Sequence, residues 1–541
     1  MGTVDSLLAE HVTFRLTSVD RIGVAGYIPG LAYEGGVVRF LLNRGYGIPS
    51  PAGLGHNHDR LVRELEAFAS EHNLEVVRFT RGQSKEEAAR PHQDAARREG
   101  REGVVFVGKA QERTSVWRGY KDPADQRHSA GHPHFCYRRH SAVPDHWYFY
   151  LWDEEWGPAL VKLGTYAPYP VWVNANGHEW CKRQLERARV SYEELDNGLR
   201  SVEDPELAHR LCARLSAGHL RSAVGRWMSW LPSPLIPEDR RAGFRYEFSL
   251  RQIEISDTAV FDRPASGRAW FEAAIRDHLD LGRPEEVSLV VNRTVRTRGK
   301  HPTPGRFETR VVRPDIDPVI RIRYKSSKVK AYFKEQRALR VETTINNPDD
   351  FGVRRRLTAE NWRALRAVGT NTNARFLAAL GEGEGSAPDA TTLQRVVLPS
   401  DVDGLRAPGL RFGDPRVMAL LAALVSFSHV VGGLTNAALR ALMGVLWGPY
   451  TARQASYDLR RLRRKGFIRR IEGAHRYELT PYGRRIASFL TKVASRVVVP
   501  ALTDLERPAR PRAPAPPPLI SAWRAYEREV EVLIGASRVA A

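Results

Sequence analysis

Cysteine is nearly absent from this sequence: Cys136, Cys181 and Cys212 are the three in 541 residues. So few make no disulfide framework and suit a reducing compartment, which points to the cytoplasm. Long hydrophobic runs are missing as well. The longest, residues 417–431 (VMALLAALVSFSHVV), is shorter than the roughly 20 residues that a membrane span requires, so it is expected to be a buried helix and no membrane partner is expected. The opening MGTVDSLLAEHVTFRL has no charged-then-apolar signal pattern. Acidic residues are outnumbered, 62 Asp and Glu against 83 Lys and Arg, for a formal net charge of +21. That imbalance suits a polyanionic partner, nucleic acid first, and a place on the nucleoid; part of the arginine excess is also what a GC-rich genome produces.

What is present is enough apolar material for folded domains. Hydrophobic residues make up 42%, and the chain is too long for one ordinary core. Composition divides it into an N-terminal α/β region (1–100) and a mixed, β-rich body (101–380) with a helical insertion at 200–285. A linker (381–404) holding GEGEGSAPDA, a basic domain (405–500), and a Pro-rich tail with a short terminal helix (501–541) complete the chain. The expected fold class is α+β (mixed α/β) and multidomain. Within the body, residues 147–163 (WYFYLWDEEWGPALVKL) give the best strand-turn-strand signal, and a helix opens at NGHEW (176–180). An antiparallel set followed by a helix is how RNase H-like sheets begin, an analogy of architecture alone.

The most informative stretch is ARQASYDLRRLRRKGFIRRIEGAHRYELTPYGRR. Ala455, Leu459 and Leu462 recur at helical spacing, Gly466 stops the helix, and two short strands and a further helix follow. Between Arg453 and Arg476 there are nine Arg or Lys against two acids, a net of +7. With the preceding helix at 436–446, this order resembles a winged helix. The resemblance implies a recognition helix in a DNA major groove and a hairpin tip beside it. The expected DNA contacts are Arg453, Gln454 and Tyr457 for bases, then Arg460, Arg461, Arg463, Arg464, Lys465, Arg469, Arg470, His475 and Arg476. A merely solvated basic face is the alternative.

Candidate chemistry falls in the body. Phosphodiester cleavage commonly uses one or two divalent cations held by carboxylates. Asp153 ends a strong strand, Glu179 opens a helix beside His178, and Glu342 lies inside the otherwise apolar RVETTI. Lys328, Lys330 and Lys334 precede it and suit a phosphate backbone, and Tyr332 is the candidate covalent nucleophile. The expected catalytic set is therefore Asp153, His178, Glu179, Tyr332 and Glu342, with Asp153, Glu179 and Glu342 holding Mg²⁺ or Mn²⁺. Each also has a structural reading: Glu179 caps its helix, Glu342 pairs with Arg340 or a lysine, and Asp153 makes a turn. Two other signals are weak. His132-Pro133-His134 looks like the paired histidines of rolling-circle nickases, and the histidines from His128 to His146 suggest zinc, but no CxxC-type spacing accompanies them. Arg113, Trp117, Arg118, Tyr120 and Lys121 interleave basic and aromatic residues, as nucleic-acid surfaces and ordinary exposed edges both do.

NGHEW, VKAYFKEQRALRVETTIN, LRFGDPRV and YDLRRLRRKGFIRRI together resemble a large family of long bacterial proteins that end in a winged helix. The second phrase is also similar to a stretch of phage and plasmid replication initiators, where a lysine and a tyrosine precede an Arg-x-Glu strand. Three functions are expected in turn: a mobile-element or replication enzyme that cuts or joins duplex DNA, a non-catalytic DNA-binding regulator or maintenance factor, and an RNA-binding or RNA-processing protein.

Overall fold

The computed structural model describes residues 11–80, 82–121, 134–195, 197–278, 307–312, 319–335, 337–381, 388–402, 405–426, 429, 432–471, 475–494, 498, 525–526 and 528–529. His128 and His132, the tip 472–474, and the Pro-rich part of the tail lie outside them.

A mixed α+β architecture is built on one sheet of eleven strands. In chain order the first half supplies β1 (Val12–Tyr27), α1 (Glu34–Asn43), α2 (Pro51–Glu71), β2 (Val76–Arg78), α3 (Lys85–Glu99) and β3 (Gly103–Gln111). Next come β4 (Thr114–Lys121), β5 (Phe135–Ala142), β6 (Asp145–Asp153), β7 (Gly157–Gly164), β8 (Val171–Asn176), α4 (Gly177–Arg187), β9 (Tyr192–Glu194) and β10 (Leu199–Val202). Then follow α5 (Pro205–Arg214), α6 (Ala217–Ser229), α7 (Pro237–Arg241), β11 (Glu247–Phe261), α8 (Pro264–His278), β12 (Phe307–Val312), β13 (Val319–Tyr324), β14 (Ser327–Lys334), β15 (Ala338–Ile345) and α9 (Ala359–Gly381).

The strand order is β12-β13-β14-β15-β11-β1-β8-β7-β6-β3-β2, and the named pairs are antiparallel except β2 with β3. This order joins what composition divides. β1, from the expected N-terminal region, and β11, from the expected helical insertion, are adjacent central strands of the body's own sheet. Both are long, and their buried residues follow no clean alternation that would mark a strand in the sequence. One face of the β14–β15–β11 part carries Val329, Ala331, Val341 and Ile255, which are buried under helices α8 and α9. Gly369 lets α9 come close: a Cβ there would sit 2.6 Å from Ile255.

The C-terminal part has its own core. It runs α10 (Ala390–Val397), β16 (Ser400–Val402), β17 (Leu405–Ala407), α11 (Pro415–Leu424), α12 (Asn436–Leu446), α13 (Ala452–Arg464), β18 (Ile468–Arg470), β19 (Tyr477–Leu479) and α14 (Pro481–Val493). Ala455, Leu459 and Leu462 of α13 are buried against Leu420, Leu439 and Ile486. Val396 of α10 belongs to the same core, so the region expected as linker contains a helix of this unit and the first strand of a small hairpin. A capping box starts α13, with Thr451 and Gln454 exchanging side-chain and backbone hydrogen bonds. Among the described residues no helix is long and apolar enough to cross a membrane.

The cysteine expectation is corrected. Cys181 on α4 and Cys212 on α5 form a disulfide with Cα atoms 5.5 Å apart. They are 31 residues apart in sequence, and only the packing of the two helices brings them together.

Candidate functional site: a buried carboxylate cluster beside a cationic lane

The register of five antiparallel strands assembles a polar face opposite the one covered by α8 and α9. Across the sheet, Arg321, Lys330, Glu342, Ser256 and Ser18 lie in one row on successive strands β13, β14, β15, β11 and β1. The neighbouring row reads Arg323, Lys328, Thr344 and Glu254. On the other side, Tyr332 is opposite Arg340. Residues directly opposite in such pairs have Cα atoms about 4.5–5.5 Å apart, so charges change sign within one strand spacing.

A bulge in β1 completes the set. Between Val19 and Ile22 the register slips, which places Asp20 and Arg21 against Glu254. Val19 and Ile22 stay in the core while Asp20 stays on the polar face. Bulges commonly re-aim side chains in this way beside sites. Asp20, Glu254 and Glu342 are all buried, and each offers an oxygen within 4.8 Å of the other two.

Four residues tie the cluster together. The Arg340 guanidinium, fully buried, contacts Asp20 and lies 3.0 Å from Glu342 Oε1. It also donates to Asn197 Oδ1 at 3.0 Å and to His178 Nε2 at 3.0 Å. Asn197 in turn donates to Asp20 Oδ1 at 3.0 Å. Tyr332 donates its hydroxyl proton to Glu342 Oε1 at 2.7 Å.

The NGHEW phrase explains how His178 arrives. Asn176 caps α4, its side chain accepting from the His178 and Glu179 N–H groups. Gly177 is needed because a Cβ would lie 2.3 Å from the Val19 carbonyl oxygen. The His178 ring then reaches Ser256 Oγ at 2.9 Å and Ser18 Oγ at 3.1 Å. Burial pushes its pKa well below the ordinary value, and Arg340, Lys182 and Lys334 add to that, so the ring is neutral.

Burial raises the Asp20 carboxyl to about 8; Arg340 works against this, and Glu254 and Glu342 reinforce it. Burial and Glu342 raise the Tyr332 phenol far above its usual value, so it remains protonated as the donor to Glu342. A pH prediction follows. Between about pH 4 and 8 the folded, metal-free protein keeps a proton on Asp20 that the unfolded chain has released, so stability falls as pH rises, by up to about 1.4 kcal/mol per unit. His178 has the opposite sign: its depressed pKa costs stability as pH falls below about 6.5. Denaturation of the body in EDTA across pH 4–9 measures both limbs. Asp20→Asn is expected to flatten the fall between about pH 6.5 and 8 and, below about 6.5, to steepen the His178 limb that the Asp20 proton otherwise offsets.

Of the five sequence-derived catalytic residues, His178, Tyr332 and Glu342 meet here, and Asp153 and Glu179 do not. Asp153 is buried at the end of β6, where Oδ1 accepts the Glu155 and Trp156 N–H groups, and Oδ2 accepts from Trp227 Nε1 at 2.6 Å and pairs with Arg226. β6 stands five positions from β15 in the sheet, about 24 Å at ~4.8 Å per strand. Glu179 pairs with Lys182 at 2.7 Å and lies against Gly157. Asp153, Glu179 and Glu342 therefore do not meet as expected; the acids close enough to Glu342 to share one ion with it, among the described residues, are Asp20 and Glu254. An all-carboxylate set of this kind suits a hard cation such as Mg²⁺ or Mn²⁺.

The expected DNA contacts also divide. On α13, Arg453, Tyr457, Arg460 and Arg463 form an exposed stripe, with Tyr457 41% exposed. Gln454 is exposed and engaged in the cap. Lys465 is buried and donates to the Arg395 and Leu398 carbonyl oxygens at 2.6 Å. Arg461 donates to the carbonyls of Pro408 and Gly409, and Arg464 to that of Arg406 at 3.2 Å. Those three fasten α13 to the preceding segment, a use that a count of arginines cannot foresee. Arg476 donates to the Gly432 oxygen at 2.9 Å, while Arg469 pairs with Glu478 on the hairpin. Arg470 and His475 are exposed neighbours beside the hairpin tip. In the body, Lys328 and Lys330 are half-buried on the polar face, whereas Lys334 is buried and unsuited to a backbone contact. No family model, curated protein or solved structure matches this chain, and the site is read on its own geometry.

Proposed function

We propose that the protein binds duplex DNA through a C-terminal winged helix and performs metal-dependent phosphoryl transfer, cutting or joining a strand, at the Asp20–Glu254–Glu342 cluster. The observation that carries this reading is the juxtaposition in one face of the sheet: three buried acids, with Lys328, Lys330, Arg321 and Arg323 on the two strands beside them. Acids that can hold a divalent cation next to a lane that attracts phosphates is what a phosphodiester requires, and neither half alone would suggest it. Asp20, Glu254 and Glu342 would hold Mg²⁺ or Mn²⁺, which supplies charge stabilisation on a phosphoryl oxygen and an activated nucleophile. Lys330 and Arg321 would orient the substrate backbone, and neutral His178 would act on a proton through Ser18 or Ser256. Labelled single- and double-stranded DNA incubated with the protein in Mg²⁺, Mn²⁺ or EDTA tests the reading. Cleavage or joining that EDTA abolishes supports it, and inertness on every substrate overturns it.

A second reading has its own observation. Arg340 already bridges Asp20 and Glu342, so the cluster also suits an internal ion network in a non-catalytic DNA-binding protein.

For the C-terminal unit, the exposed stripe is the DNA-facing side of the proposed recognition helix. Arg460→Ala with Arg463→Ala is expected to weaken all duplexes alike and to lower the salt slope by about two. Lys465→Ala is expected to act on folding instead, because it removes the two hydrogen bonds by which the buried Lys465 ties α13 to the end of α10. Binding isotherms against salt, with thermal melts alongside, separate the two. Unchanged duplex affinity in the double variant would show that this stripe is not the contact.

A further inference from the structure

A second charged feature stands apart from both sites. β4 and β5 pair as a two-stranded ribbon outside the main sheet. They continue β3 and β6 past Glu112 and Pro144, where the Glu112 N–H meets the Pro144 oxygen at 3.2 Å. The ribbon has two unlike faces. One is seated on the body: Trp117 Nε1 donates to the Leu31 oxygen at 2.8 Å, the Tyr137 hydroxyl donates to the Pro49 oxygen at 2.6 Å, and a Cβ on Gly119 would lie 2.5 Å from Pro51. The other presents Arg118, Tyr120, Arg138 and His140, all exposed.

Arg118 and Arg138 are directly opposite each other in the ladder. Like charges so placed destabilise a strand pair, and among the described residues neither arginine makes an ion pair. The Arg118 guanidinium sits 5.6 Å from the Tyr120 ring centre, which aligns the ring with the arginine. Among the described residues no acid answers these two charges, and a polyanion would.

We propose that this ribbon is a second contact for duplex DNA, entering the major groove and gripping the duplex away from the carboxylates. The proposal rests on the reading that the chain binds DNA. A two-stranded ribbon fits the B-form major groove, about 12 Å wide, and two adjacent guanidiniums reach either guanine edges or the flanking phosphates. A single-stranded partner fits less well, because stacking successive bases takes several exposed rings and this face offers Tyr120 with His140. The seated face fixes the ribbon before binding, so little ordering cost is added. Its place marks it as a positioning element. It leaves the sheet at the end where Gly26 of β1 pairs with Val171, six residues or about 20 Å along β1 from Asp20.

The test uses the full chain with EDTA present, so that DNA is bound and not consumed. A duplex of about 30 base pairs, random in sequence, is titrated by fluorescence anisotropy at several salt concentrations. Arg118→Ala with Arg138→Ala is expected to weaken binding about tenfold at moderate salt and to lower the salt slope by nearly two. The melting temperature should not fall, since both side chains are exposed and the pair repels across the ladder. Duplex RNA should compete poorly, because its major groove is too narrow for the ribbon. Unchanged affinity and slope overturn the proposal. So does an equal loss on a single-stranded oligonucleotide, equal competition by duplex RNA, or a wild type that binds no duplex. Metal-dependent cutting with unaltered duplex binding by the ribbon variant defeats the ribbon alone. Weakened binding by that variant, with no cutting in any metal, defeats the proposed chemistry and leaves the ribbon standing.

Discussion

Asp20→Asn, Glu254→Gln and Glu342→Gln are each expected to lower metal-dependent turnover on DNA by about 10²–10³-fold or more, the scale of losing one electrostatic contact to the transition state. The three amides keep shape and most hydrogen bonds but remove the charge that would hold the cation. Binding of intact duplex should change little, because the proposed DNA contacts are α13, the cationic lane and the ribbon. Asp153→Asn and Glu179→Gln serve as matched controls. Asp153 holds Arg226, Trp227 and the turn at Glu155, so its loss is expected to lower the melting temperature while leaving turnover per folded molecule within a few-fold. Turnover, duplex affinity and melting temperature are measured on all five. A Glu342→Gln protein that cuts at the wild-type rate sinks the site. A loss in Asp153→Asn equal to that in Glu342→Gln, with both folded, would return the chemistry to β6.

The difference between these acids shows what the sequence carries and what it hides. An acid within an apolar strand run is a local signal, and it singled out Glu342 in RVETTI. The same signal is present in TSVDRIGV for Asp20 and in QIEISD for Glu254, but β1 and β11 did not stand out as strands. Bulges in β1 break its period, and burial on both sides of β11 removes the alternation that marks a half-exposed strand. Asp153 had the stronger local context, a strand end before Gly157-Pro158, and that context is a turn whose N–H groups consume the carboxylate. Convergence of β1, β11 and β15 depends on pairings far apart in the chain, such as Ser18 with Ser256 and Ser256 with Glu342, which no window of sequence contains. The C-terminal unit was far more legible. Its helices are local, α13 carries its own capping box, and its basic face needs no distant partner to be seen. Even there, the roles of Arg461, Arg464 and Lys465 were set by the segment from 395 to 409 packed against them. α10 was read as linker because a short helix beside a Gly-rich run leaves a weak trace.

Arg340 decides between the catalytic and the structural readings of the same cluster. Arg340→Met removes a buried guanidinium of similar length and leaves Asp20 and Glu342 facing each other without it. Breaking one side of a buried ion pair typically costs about 3–5 kcal/mol, because the remaining charge stays uncompensated. That loss is expected in EDTA at pH 9, and it should shrink as pH falls through about 8, where Asp20 takes up a proton. Adding Asp20→Asn and Glu342→Gln to Arg340→Met should recover most of it. Millimolar Mn²⁺ or Mg²⁺ separates the two readings. If the acids are a cation site, a divalent ion replaces the missing positive charge, and the Arg340→Met protein gains more stability from it than the wild type does. If the cluster is an internal network, the variant is destabilised and the ion protects it no better than the wild type. Equal stability of Arg340→Met and wild type in EDTA at pH 9 would contradict both, since it would mean that the buried Asp20 and Glu342 need no counter-charge at all.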